Sequence, residues 1–383
     1  MKALTISVFF AATLGLLATG AGSPARQETV AKDSLAVLKG LQWLVSVQGK
    51  DGGWGQDGGE TAYIRQGQRL ESAGNDVANT SAVLLALLRN ASSPETGPYA
   101  KPARLGLEFV LRHIEQSPEE GLAVTSITGS QIQRKLGPYI DTFLSSMLLG
   151  ELDGRLKDPG RRSRVRRSLE KCVRKIENHQ LKDGSWNISG GWAPILGTSM
   201  ASRSLDVARQ KGVKVDEVKM ARVDNYTKAT AGVVGGVPGG VVAGVIGLPS
   251  AGLPSASPAP LYKAAQELEQ LSRTEKDRKS NAIQISAIAG SLSDAAFVRG
   301  YGSMGGEEFF SYLNISDSLR RAGGPEWEKW NSKIKTQLVS LQNEDGTWVG
   351  HHCITGRVAV TSAAILTLAA DKQPSVPAQI SRK

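Results

Sequence analysis

The chain has 383 residues, enough for one large domain or two ordinary ones. Hydrophobic residues at 40% and charged residues at 21% exclude a disordered polymer and a membrane bundle, and describe a globular protein. The net charge of +10 admits anionic partners, but much of the excess is local: RRSRVRR over residues 161–167, then Lys171, Arg174 and Lys175. No nucleic-acid module accompanies this run, so it reads as a solvated helix face, and nucleic acid is not an expected partner.

Lys2, an apolar run from Ala3 to Leu17 and small residues from Ala18 to Ala25 make the pattern of a secretory signal peptide. A leader over 1–25 predicts a mature chain that starts near Arg26 and works outside the cytoplasm, secreted or periplasmic. The only two cysteines, Cys172 and Cys353, do not make a disulfide framework, and whether they pair stays open.

Helical spacing of Leu35, Leu38, Leu41, Leu44 and Val47 predicts a helix over residues 31–48. A KDGGW turn ends it, and a second helix follows, capped by Asn79 or Thr80 and reaching Leu88. The next pair covers 103–116 and 139–152, joined by a long connection without an Asp-Gly-x-Trp turn. A third pair covers 164–180 and 198–210, joined by KDGSW. Residues 229–260 are crowded with Gly, Val and Pro and read as a flexible insertion, with 231–254 as a candidate membrane or protein contact. Helix resumes over 261–292, then 305–321, and a last pair covers 327–342 and 356–370 around an EDGTW turn. The tail over 372–383 is expected to be loose.

One device recurs. Gln48, Gln180 and Gln342 each end an amphipathic run, an Asp-Gly pair breaks it, and Trp54, Trp186 and Trp348 follow two residues after the first Gly. Asp bonds its own backbone and Gly accepts positive φ, so the turn is tight and the Trp folds back over the helix end. The second helices share a Thr near the start (Thr80, Thr142, Thr198, Thr361) and small residues beyond it. Such helices must bury that face against a neighbouring hairpin. About five hairpins therefore stack into an all-α fold, an α/α toroid, with repeats over 26–228 and 261–371 on either side of the insertion.

These residues resemble the prenyltransferase and squalene-oxidase repeat superfamily of α/α toroids. Lys39, Trp43, Leu44, Gln48 and the Gly52–Trp54 segment match its QW motif, and the other two turns match the Gln-to-Trp half. The resemblance covers about 34–370 outside the insertion, and is narrower still to secreted bacterial members ending in a GHHCITGR-type sequence. It implies the fold rather than an activity. The Asp-x-Asp-Asp acid of terpenoid cyclases, the zinc ligands of protein prenyltransferases (Val360 stands at the His position) and the thioester motif are missing here.

In a toroid the starts of the inner helices converge on one mouth. Asp76, Asn79, Tyr139, Asp141, Trp192, His351, His352 and Arg357 lie at such starts and are candidate ligand-binding residues, with helix capping as the alternative for the Asp and Asn side chains. His351, His352 and Cys353 are the one candidate metal cluster, but adjacent residues rarely share an ion and no fourth ligand is evident, so no metal or cofactor is expected. The leading reading is an exported protein that binds an apolar or polymeric ligand in its ring. The alternative is an enzyme, either a relative of terpenoid cyclases and prenyltransferases or a lyase or hydrolase of extracellular polysaccharide.

Overall fold

The computed structural model describes residues 24–56, 64–65, 68–69, 74–188, 194–231, 259–295, 298, 305–351 and 354–372. The leader, the Gly/Val/Pro insertion and the tail lie outside these, as do Trp192, His352 and Cys353. Among the described residues the protein is all-α, its strands being two-residue pairs such as Trp54–Gly55 with Asn75–Asp76. The helices are α1 (Pro24–Ser46), α2 (Val77–Arg89), α3 (Ala100–Gln116), α4 (Gln131–Leu136), α5 (Ile140–Leu152), α6 (Pro159–Asn178) and α7 (Pro194–Gln210). Then come α8 (Glu217–Ala231), α9 (Ala259–Leu271), α10 (Glu275–Ser280), α11 (Ala282–Ser291), α12 (Gly306–Ala322), α13 (Gly324–Ser340) and α14 (Arg357–Leu368).

The differences from expectation have local causes. The connection before α5 holds a helix, α4, because Ser130 and Gln133 form a reciprocal capping box. A second box, Thr274 with Asp277, starts α10 and divides the helix expected over 261–292 into three. The cap of α2 is Asp76 rather than Asn79 or Thr80. Helix α8 was not anticipated.

Two kinds of helix result. In α2, α5, α12 and α14 nearly every residue is buried, consistent with sequences that are apolar or small all round. By contrast, α3, α6 and α13 bury one stripe each. Helix α2 packs on α5, α5 on α7, α7 on α9, α9 on α12, α12 on α14, and α14 on α2 again. Small residues permit these approaches: a Cβ on Gly150 of α5 would stand 2.6 Å from Val207 of α7. The remaining long helices lie against members of this set: α1 and α13 on α14, α3 on α2, α6 on α5, α8 and α11 on α9.

The three Gln-to-Trp turns are built alike and link neighbouring hairpins. Each Trp Nε1 donates to the carbonyl ten residues upstream, Leu44, Ile176 or Leu338, at 2.6–2.7 Å. Each Trp amide donates to the Thr of the following helix, Thr80, Thr198 or Thr361. Each Gln Nε2 donates within the turn, to Gly52, Gly184 or Gly346, and also to another helix: to Pro102 of α3, Lys219 of α8 or Ala36 of α1. The last of these ties the final turn to the first helix. Gly346 there has φ +88°, and a Cβ on it would lie 2.9 Å from the Lys39 backbone.

Gly346→Ala is therefore expected to be more destabilising than Gly212→Ala, where φ is +72° but the space is open. Both carry the left-handed strain of about 1–3 kcal/mol, and only Gly346→Ala adds the clash. Urea unfolding of the two variants checks this, and equal losses would mean that α1 yields freely to the turn.

The basic run on α6 is more than a solvated face. Arg161 pairs with Glu95, Arg164 with Glu108 and Glu115, and Arg166 with Asp153 and Glu170. Lys171 and Lys175 are buried and donate to the carbonyls of Ser117, Glu120 and Gly121, closing the end of α3. Cys172 between them is buried and free, its thiol pushed up to about 12 by burial. No helix among the described residues is long and apolar enough to cross a membrane.

Candidate functional site

The first amides of α2 have no partners within the helix, and two carboxylates from different elements converge on them. Asp76, at the N-cap, accepts from the Asn79 amide and from Asn79 Nδ2, both at 2.7 Å. Asp141, the second residue of α5, reaches across to accept from the Ala78 amide at 2.9 Å and from Gln133 Nε2 at 2.6 Å. Both side chains are buried. Burial, and then the charge of Asp141, push Asp76 up to about 7. Burial pushes Asp141 up to about 6, against the hydrogen bond from Gln133. Such a pair retains a proton near neutral pH, because two adjacent buried charges oppose full ionisation.

Helix α4 connects this pair to the start of α14. The Gln131 amide donates to Gln56 Oε1, while Gln131 Oε1 accepts from the Thr355 and Gly356 amides at 2.9 Å. Gln131 Nε2 donates to Thr355 Oγ1, and the Gln56 carbonyl accepts from the Val358 amide. At the start of α12, Glu307 Oε2 accepts from the Ile354 amide, and Tyr262 of α9 donates to Glu308 Oε1 at 3.4 Å. Burial, then the charge of Glu307, push Glu308 up to about 8. Four carboxylates thus stand buried at helix starts, each within reach of amide or hydroxyl donors. Asn79 Oδ1 and Glu308 Oε2 are buried without a hydrogen-bond partner.

Of the residues anticipated from sequence, Asp76, Asn79 and Asp141 come together. Each carboxylate is also a cap, so the capping alternative holds alongside the convergence. Tyr139 is half-buried, packs on the core and caps nothing with its side chain. Arg357 does not join the pair: it bonds Asp345 at 3.2 Å and stacks over Trp43 of α1 at 5.0 Å, because the first residue of α14 lies beside the docked turn. His351 is exposed. Among the described residues no three His, Cys, Asp or Glu side chains group as metal ligands. Gln56, Gln131, Gln133, Tyr262, Glu307 and Glu308 were missed. The Ser-x-x-Gln capping signature at Ser130 was legible, and the paired Glu at the start of α12 was a second signal.

No protein-family model matches the chain, and no curated protein does. Among solved structures, a protein from Actinoplanes is similar over 89% of this chain and 99% of its own, at 14% sequence identity and a TM-score of 0.44.

Proposed function

We propose that the chain is an exported α/α toroid of the prenyltransferase and squalene-oxidase repeat type. Helices α2, α5, α7, α9, α12 and α14 are its inner wall, and it binds a hydroxyl-rich polymer at the end where those helices begin. The packing order that returns from α14 to α2 supports the ring, and six inner helices favour six hairpins over five. Export rests on the leader over 1–25.

The observation that carries the ligand class is the polarity of the inner wall. Besides Asn79 Oδ1, the hydroxyls of Ser81, Ser146 and Ser199, on α2, α5 and α7, are buried without a partner. An apolar ligand leaves these groups unsatisfied, at about 1–3 kcal/mol each, and a ligand bearing hydroxyls does not. The test is calorimetric titration with soluble neutral glucans and uronate-bearing polymers, with a long-chain fatty acid as the apolar probe. Saturable glycan binding, weakened about tenfold by Asn79→Ala, is the expected result. Binding of the fatty acid alone would overturn it.

The Asp76–Asp141 pair favours a second reading, a polysaccharide hydrolase or lyase with one carboxyl as acid and the other as base. Release of reducing ends or of an unsaturated product, lost in Asp141→Asn, would establish it.

A further inference from the structure

The opposite end of the same six helices carries charge of the other sign. Asp317 of α12 is fully buried and bonds two guanidiniums: Arg89, the last residue of α2, at 3.1 Å, and Arg203 of α7. Arg203 also donates to Asn314 Oδ1 at 2.9 Å, and Arg89 to the Leu366 carbonyl of α14 at 2.7 Å. Beside them Glu269 of α9 accepts from Arg321 at 2.7 Å and from Ser318. Arg273, just beyond α9, holds Ser202 and pairs with Asp224 at 2.7 Å. Arg203, Arg273 and Arg321 all act electrostatically on Glu269, so these bonds form one cluster.

Four guanidiniums here face two buried carboxylates and Asp224, which is 38% exposed; half-buried Arg320 adds a further positive charge, while Glu151 also acts on Arg203 and Asp371 on Arg320. The partial negative charge of ending helices adds to that of the carboxylates. Buried donors remain unmet: Nε of Arg273 and of Arg321, Nδ2 of Asn314 and Nε2 of Gln266 have no hydrogen-bond partner. Against these four stands Glu269 Oε1, an acceptor in the same condition. Asn314 and Gln266 are at most 2% exposed, so bulk water does not reach them.

We propose that this end is an oxyanion site, with Arg273, Arg321 and Asn314 as its donors. Its ligand is a phosphate, sulfate or carboxylate group, because guanidinium forks match paired oxygens and an anion supplies the acceptors that the buried donors lack. The group comes either from a free ion or from the charged end of a larger ligand. The site is separate from the Asp76–Asp141 end and does not rest on the glycan reading.

The test uses the full mature chain, as wild type, Arg321→Gln and Asn314→Ala. Inorganic phosphate is followed by phosphorus NMR line broadening, and phosphate, sulfate, glucuronate and chloride by thermal shift at matched ionic strength. Saturable phosphate broadening is expected, competed by sulfate but not chloride, and about tenfold weaker in each variant. Binding of glucuronate without phosphate would also support the site and assign it to a ligand's carboxylate. The thermal shift alone is insufficient, since sulfate stabilises proteins generally, so the comparison of variants decides. Broadening equal in wild type and in variants that remain folded by circular dichroism, or none with any oxyanion, would overturn the proposal. Arg273→Gln, whose ion-pair partner Asp224 is part-exposed, is the alternative variant should either of the others fail to fold.

Discussion

Asp317→Ala is expected to lose on the order of 3–5 kcal/mol of stability, the cost of leaving buried charges without their counter-ion. The carboxylate is fully buried, and Arg89 of α2 and Arg203 of α7 approach it from two different helices. Burial alone raises its pKa, but the two guanidiniums outweigh burial and hold it down to about 2. A carboxylate whose folded pKa is depressed adds stability above its unfolded value of 3.8, and that stability is lost as pH falls through about 2. The variant should therefore be much weaker than wild type at pH 7 and converge on it in strong acid. Urea unfolding at several pH values checks this. A loss below about 1 kcal/mol at pH 7, the value of a surface pair, would show that water reaches the cluster.

The second large effect has the opposite sign. Asp76, Asp141 and Glu308 all have folded pKa values raised above the unfolded ones, so the folded state retains protons that the unfolded chain releases. Their contribution is least unfavourable below about pH 4. Stability then falls as pH rises through the window ending near 7 for Asp76 and near 8 for Glu308. With Asp317 failing in acid, maximum stability should lie on the acid side of neutrality.

Asp76→Asn should flatten the fall and be more stable than wild type at pH 8, by on the order of 4 kcal/mol for a rise from 3.8 to about 7. Asn is as good an N-cap as Asp. The lost acceptor at Oδ2 is also repairable, because Asn79 Oδ1 is unpartnered and an amide flip lets it accept from the new Asn. Parallel pH profiles for variant and wild type would show that the carboxylate is already ionised in the fold.

Much of this was legible beforehand for a physical reason. The helices of the first three hairpins and of the last are written in local signals: Asp-Gly breaks, apolar periodicity, and small residues after a Thr. Three of the four Thr, Thr80, Thr198 and Thr361, accept a Trp amide from 26, 12 and 13 residues upstream, whereas Thr142 donates to the Leu122 carbonyl. Helix α8 lacks a strong periodic pattern, and α4 and α10 are short helices set by capping boxes inside polar stretches, so periodicity passed over them.

The site was legible only in part. Asp76, Asn79 and Asp141 were marked because each sits at a helix start, a position the sequence displays. That Asp141 caps α2 rather than its own helix is a contact over 63 residues, and nothing local encodes it. The same holds for Arg357, which local spacing assigned to a mouth and packing turned toward Trp43 of α1.

By itself the sequence determined an all-helical chain and its repeated Gln-to-Trp turns, since turn chemistry and periodicity act over a few residues. Tertiary structure decided which charges meet. Arg89 and Asp317 are 228 positions apart, and Gln342 and Ala36 are 306 apart. Burial pushes three carboxylates up, and two guanidiniums pull Asp317 down against it; both are properties of the packed chain rather than of any segment.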